Sequence, residues 1–329
     1  MKPSPRRTST TLAAAVLAAF ALSPATAAAQ AWPAKPIRMV VPFPPGGAVD
    51  TVARTLGQKA TDTWKQQVVV DNKPGAGAHI GADAVAKSAP DGYTLLMTTQ
   101  ALAIGPSLMK KLAYDPQKDL MPVTQLTASY LVMAAGPSIQ AGTLAELVAQ
   151  AKAKPGSINY GSTGIGSAPH LVMELFKSTA GVDLLHIPYK GDGPQNQAML
   201  AGDVAVAFSP LSGVIAHMRT GKLRVLAMTG AKRAAAIPDV PTFAEAGVPG
   251  FEQTGWLGVF APTGTPAEVV RNVQSTMARA IMLPDVMEKW PAWGYEPVGS
   301  TPDAFAAKFR ADVASYARAV KDARIPPQD

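Results

Sequence analysis

Apolar and polar positions fall into blocks along this chain, and the blocks predict a succession of strands and helices. Ile37–Val41 is a short, mostly apolar run that predicts a buried first strand. Residues 47–63 predict a helix, with Val52, Ala53, Leu56 and Ala60 on one face. Residues 68–70 and 93–98 predict two more strands. Between them lie a turn at Pro74-Gly75, a glycine loop, a helix through Ala82, Val85 and Ala86, and a turn at Pro90-Asp91-Gly92. This order of strand and helix predicts a parallel sheet covered by helices on both faces. Residues 101–111 predict a further short helix.

Residues 123–135 form an extended run too long for one simple strand, and predict the chain passing from a first domain to a second. A helix follows over 143–154, with Thr143 as N-cap and Glu146 at the capping-box position. Strand 158–160 runs into GSTGIGSAPH, and the next helix has Leu171, Val172, Leu175 and Phe176 as its apolar face. Strands at 184–187, 204–208 and 223–228 alternate with helices at 194–201 and 211–220. Residues 238–265 are rich in Pro and Gly, and their one apolar run, 256–260, predicts the return crossing. Two or three helices close the chain. Val269, Val270, Val273, Met277 and Ile281 line one, and Phe305, Phe309, Val313, Tyr316 and Val320 the last; both should pack on the first domain's sheet. The expected fold is α/β in two lobes. Domain 1 comprises residues 32–128 and 254–329, domain 2 residues 129–253, and a two-strand hinge joins them. Ligands favour the cleft between such lobes.

The 329 residues suffice for two domains, and 47% are hydrophobic, enough for sizeable cores. The first 31 residues read as a signal peptide. Lys2, Arg6 and Arg7 precede an apolar run at 12–22 that is too short to span a bilayer. Ala27-Ala28-Ala29 and Ala29-Gln30-Ala31 are small-x-small cleavage sites, so the mature chain is expected to start at Gln30 or Trp32 and to be exported and soluble. Cysteine is absent, which excludes disulfides, a thiolate nucleophile and cysteine-bound metal. The formal charge is +7; three of the 30 basic residues and none of the 23 acidic ones fall in the first 31, which leaves +4 for the rest. That excess is dispersed. It argues against nucleic acid and is compatible with an anionic small ligand.

The chain is organised around PFPPGGAVDTVAR, residues 42–54, where a strand, two glycines and a helix start succeed one another. Gly46 and Gly47 would let backbone N–H groups approach an anion without a Cβ in the way, and the first turn of a helix has N–H groups to spare. The same pattern also serves as a plain strand-to-helix connection. Asp50 in that first turn suits the helix N-terminus and is expected to brace the loop, since a carboxylate repels a carboxylate. Ser167 is placed as an N-cap or first-turn donor for the next glycine loop's helix. No cofactor is implied. Gly75, Gly77 and Gly81 are one residue too widely spaced for a dinucleotide fingerprint, and the four histidines lack metal-ligand spacing. The enzyme alternative is a cleft hydrolase using Ser162 or Ser167 with His170, and Asp183 or Asp203 in reserve, although G-x-S-x-G is absent. Tyr189 either walls the cleft or packs, and Lys190 is either a counter-charge or solvated. Phe43, Tyr160, Phe208 and Trp256 read as core.

Several segments together carry a family resemblance: WPAKPIRMVVPFPPGGAVDTVAR, VDNKPGAGAHIGADAVAKSAPDGYTLL, YGSTGIGSAPHLVMELFK, IPYKGDGPQ, PDVPTFAEAGVPGFE and GWLGVFAPTGTPAEVV. They resemble the substrate-binding proteins of tripartite tricarboxylate transporters, the Bug family, from Trp32 to the last helix. The resemblance implies a periplasmic, non-enzymatic, monomeric protein with a Venus-flytrap cleft. It would bind a small organic acid and deliver it to a membrane partner of one large and one small subunit. It also implies a first-lobe loop of Phe43, Pro44, Pro45, Gly46, Gly47 and Asp50, and a second-lobe loop of Ser162, Thr163, Gly164, Ser167 and His170, holding a carboxylate largely through main-chain amides. Ala78 and Asp192 depart from the family pattern; a cleft-facing Asp192 would disfavour a simple dicarboxylate.

Overall fold

A computed structural model of the chain describes residues 32–249, 251 and 253–327. The expected signal peptide and its cleavage sites lie outside the described residues. The chain divides into a short N-terminal unit, Met1–Ala34, and a body, Lys35–Asp329. The body's elements run β1 (Ile37–Val41), α1 (Ala48–Trp64), β2 (Val68–Asn72), α2 (His79–Ala86), β3 (Thr94–Thr99), α3 (Ala101–Leu108) and β4 (Leu120–Ala135). Then follow α4 (Leu144–Ala153), β5 (Asn159–Ser162), α5 (Ala168–Ala180), β6 (Leu185–Pro188), α6 (Asp192–Ala201), β7 (Val206–Pro210), α7 (Leu211–Arg219) and β8 (Arg224–Met228). The last are β9 (Thr254–Pro262), α8 (Ala267–Ala280), α9 (Pro284–Met287), α10 (Trp290–Trp293), β10 (Glu296–Pro297) and α11 (Pro302–Asp322).

The strands pair in the order β2-β1-β3-β9-β4-β7-β5-β6, with β8 and β10 attached to β4. β1 pairs in parallel with β2 and β3, and β5 in parallel with β6 and β7, as the alternating pattern predicts. The sheet is nevertheless mixed, because β9 runs antiparallel to β3 and β4, and β4 antiparallel to β7 and β8. The extended run after residue 120 corrects the sequence expectation: β4 is a single strand of 16 residues. It keeps its pairing with β9 through register shifts at Pro122/Thr124 and Gln125/Thr127, where a proline and local bulges interrupt the ladder. Its first part, up to Tyr130, pairs with β9, and from Leu131 onward it pairs with β7 and β8. One strand thus passes from one half of the sheet to the other, and β9 returns.

Each half has its own aromatic core. Phe176, Phe208, Phe243 and Phe251 pack together in the second half, with centroid separations such as 4.7 Å for Phe243–Phe251. Trp256, Phe260, Phe305 and Phe309 fill the first, where α11 covers the sheet. α5 serves both: Val172, Met173 and Phe176 enter the second core, while Leu171 is buried in the first. Among the described residues four helices follow β9, more than the two or three expected, because Pro284 and Pro291 each restart a single turn. Thr143 caps α4 as expected, accepting from Glu146 N–H at 3.2 Å, while Glu146 reaches back to Gly142 N–H at 2.7 Å.

Candidate functional site

The loop after β1 is exposed from Pro44 to Ala48. Asp50 is buried beneath it and braces it from within. Its carboxylate accepts from Gly46 N–H at 2.9 Å, from Arg54 Nε at 3.0 Å and from Asn72 Nδ2 at 2.9 Å. Burial opposes the charged carboxylate, but these hydrogen bonds outweigh it and hold its pKa below the usual value. Asn72 also donates to Phe43 O at 3.1 Å, so β2 fixes both ends of the loop. Only one of its glycines is demanded by backbone geometry. Gly46 has φ +82°, whereas Gly47, the N-cap of α1, is extended at φ −75°, and a Cβ there would meet nothing nearer than Pro44 O at 3.6 Å. Within the protein itself, Gly47 therefore has room for a side chain.

In the second half, the loop between β5 and α5 is held by two histidines. Ser162 is fully buried, and its Oγ lies 2.6 Å from His186 Nε2 and within 3.2 Å of Gly164 N. His170 Nδ1 accepts from Gly166 N–H at 3.0 Å. The two imidazoles stack at 4.0 Å, and Tyr160 stacks on His186 at 4.8 Å. Tyr160 O–H donates to Glu174, which pairs with Lys177 at 3.0 Å. Burial, then His186, then Lys177 push the His170 pKa down to about 3, and burial also lowers His186. Tyr189 N–H donates to Ser162 O at 2.9 Å, joining the loop after β6 to the one after β5. Asp192 opens α6, where the helix N-terminus suits a carboxylate; its side chain and that of Lys190 are exposed.

Ser167 is the N-cap of α5, as predicted, but its hydroxyl caps nothing: the Oγ is buried and has no hydrogen-bond partner. It lines a cavity of about 200 Å³ that brings the two halves together. Residues 166–168 form one wall; Gly77, His79, Thr99, Gln100 and the α3 residues form the other. Gly166, at φ +77°, lies so close to Leu108 of α3 that a Cβ there would meet Leu108 Cδ2 at 2.6 Å. Sequence reasoning missed the β3–α3 junction. The signal was available, since ligands in open α/β sheets gather at the carboxyl ends of strands, where Thr99 and Gln100 lie. Of the predicted residues, the structure brings only Ser167 to this cavity; Phe43, Pro45, Gly46 and Gly47 belong to the separate, exposed loop.

The sequence pattern of the family described as tripartite tricarboxylate transporter family receptor matches residues 52–323. The chain belongs to that family. The receptor is similar to the protein BugT of Bordetella pertussis, 39% identical over 300 residues that cover 91% of this chain and 92% of BugT. Among solved structures it resembles Rpa4515 of R. palustris with adipate, at 33% identity and a TM-score of 0.72, covering 90% of this chain and 100% of that one. It also resembles MatC of Rhodopseudomonas palustris with bound malate, at 31% identity and a TM-score of 0.69, covering 88% of this chain and 100% of the other. The fold is the two-lobed α/β fold of periplasmic binding proteins. The receptor and its relatives are solute-binding proteins, not enzymes. The geometry agrees: Ser162 pairs with His186 rather than His170, it is buried, and His170 is committed to a backbone N–H.

The histidine stack makes stability pH-dependent. The folded pKa of His170 lies at about 3 against an ordinary value of 6.5, so the unfolded chain binds more protons between them. Its contribution is fully present above pH 6.5 and is lost as pH falls toward 3. Urea denaturation should therefore show stability falling from about pH 6.5 to 4.5, above the range where most carboxylates titrate. His170→Gln keeps an acceptor for Gly166 N–H and should flatten that slope. An unchanged slope would assign the pH dependence to other groups.

Proposed function

We propose that the receptor is exported to the periplasm through residues 1–31, captures a small organic carboxylate between its halves, and delivers it to a tripartite tricarboxylate-type membrane transporter. The halves are residues 32–128 with 254–329, and residues 129–253, hinged on β4 and β9. The observation that carries this reading is the cavity shared by both halves, with the buried, unpartnered Ser167 hydroxyl in its wall. The relatives solved with adipate and malate support a carboxylate as the class of ligand. Ser167, Thr163 and the amides of residues 163–168 other than those of Gly164, Gly166 and Ser167, which already donate within the loop, are the donors on one side. On the other half, Phe43, Pro45, Gly46 and Gly47 lie outside that cavity, and the braced loop brings their backbone to the ligand when the halves close about β4 and β9. Ser162, His170 and Asp50 act by positioning these loops, because their side chains are already bonded to backbone groups or to neighbouring side chains, while Tyr189, tied to Ser162 O through its backbone N–H, leaves its ring to wall the cleft.

A ligand that binds only the folded state raises its melting temperature. The mature chain should show a saturable rise in Tm with at least one member of a panel of mono-, di- and tricarboxylates, and no turnover of carboxylic esters. A flat response across the panel would refute the carboxylate reading.

A further inference from the structure

The first-half wall of the shared cavity carries an amide whose orientation the fold sets. Gln100 is the N-cap of α3, but its side chain makes no capping bond. Its Oε1 instead accepts from Trp256 N–H of β9 at 3.2 Å, just past the last β3–β9 pair, Thr99–Leu257. The carboxamide is pressed onto that strand: a Cβ at Gly255 would meet Gln100 Nε2 at 3.0 Å and Oε1 at 3.2 Å. A backbone N–H only donates, so the bond to Trp256 fixes which end of the amide is oxygen. Nε2 then holds two N–H donors, and neither has a partner among the described residues. Gln100 is half-buried, so water serves these donors until a ligand displaces it. The other polar side chains of this wall are engaged. Thr99 Oγ1 accepts from Ala101 N–H at 3.2 Å, and His79 Nδ1 lies 2.7 Å from the Tyr114 hydroxyl.

Building on the carboxylate-receptor reading, we propose that Gln100 is a specificity-determining residue: its side-chain N–H groups donate to the ligand's carboxylate from the first half, while Ser167 Oγ–H donates from the second. The Ser167 hydroxyl is buried without a partner, and both residues border the same space of about 200 Å³. None of the residues lining it is Lys, Arg, Asp or Glu, so the holding falls to neutral donors. Hydrogen bonds to a charged group are stronger than those between neutral groups, and neutral donors therefore still reward an anionic oxygen. A donor that must be ordered on binding gives back part of that gain. The bond to β9 holds the Gln100 amide in place beforehand.

The test separates donating to the ligand from bracing β9. Gln100→Glu keeps an acceptor for Trp256 N–H and replaces the donors with a second oxygen and a negative charge. Gln100→Lys keeps N–H donors and gives up the acceptor. Calorimetry on the mature chain screens malate, adipate, citrate, benzoate and 4-methylpentanoate, and the acid that binds the wild type most tightly is carried to both variants, with circular dichroism to establish folding. Gln100→Glu should weaken it by about a hundredfold or more, through lost hydrogen bonds and like-charge repulsion. Gln100→Lys should lose at least about tenfold less than Gln100→Glu. Gln100→Met, similar in length and without N–H, gives the same contrast should Gln100→Glu fail to fold. Equal losses in the two variants, or a larger loss in Gln100→Lys, would overturn the inference while leaving the receptor reading intact. If none of these acids binds the wild type, both readings fall.

Discussion

Gly166→Val is expected to weaken carboxylate binding by more than about a hundredfold while leaving the two cores folded. Gly166 sits at φ +77°, in the left-handed region where a β-branched residue is a conformational outlier. The backbone term alone is roughly 1–2 kcal/mol. The new side chain must also displace Leu108, whose Cδ2 lies 2.6 Å from the position of the added Cβ. Overpacking of that kind costs about 1–3 kcal/mol. The clash falls at the point where the halves meet and is relieved by holding α3 away from the α5 loop, while the backbone strain is relieved by distorting that loop itself, and either way the shared cavity is no longer assembled. Gly47→Ala is the control: its backbone is extended and its Cβ would make only an ordinary contact, so binding should change little. Calorimetry on both variants, with circular dichroism to establish folding, decides the matter. Wild-type affinity in a folded Gly166→Val protein would mean that the ligand binds away from this cavity.

That control also shows where sequence reading runs out. Adjacent glycines in PPGG read alike, and only the backbone angles separate Gly46, which needs its freedom, from Gly47, which does not. Local signals were read well: β1 has the expected bounds, Thr143 caps α4, and Asp50 braces its loop, because each depends on residues within a turn or two. The site depended on contacts distant in sequence. Nothing near Ser162 distinguishes His170 from His186 as its partner; the parallel pairing of β5 with β6, Tyr160 opposite His186, decides it. Likewise Leu108 and Gly166 meet only because α3 and the α5 loop face one another across the two halves. The long strand was misjudged for a related reason. Hydrophobic pattern reports burial, and β4 is buried in two successive settings whose partners change at Leu131.

The largest effect on stability is expected from Trp256→Ala on β9. Trp256 is 1% exposed, and its ring meets Phe305 edge-on at 5.1 Å and Phe309 at 6.2 Å. Truncation leaves a cavity at the centre of the first core, at a cost of about 3–5 kcal/mol. The indole does a second job. Its Nε1–H donates at 2.8 Å to Asp312 on α11, whose other carboxylate oxygen is held by Lys308 at 3.1 Å. Burial already raises the Asp312 pKa, opposed by Lys308 and Trp256. Loss of the indole removes one of those two supports, so the pKa of Asp312 should rise further. Trp256→Phe separates the two roles, because it retains most of the ring volume and loses the hydrogen bond to the charged group, worth about 1.5–3 kcal/mol. Melting should fall by about 10 °C in Trp256→Ala and by clearly less in Trp256→Phe. In Trp256→Phe, Asp312→Asn should cost less than it does in the wild-type chain, since the carboxylate has by then lost its neutral donor. A loss below about 1 kcal/mol in Trp256→Ala would show that α11 is held to the sheet by other contacts, and that the aromatic cluster is not what fixes the first half.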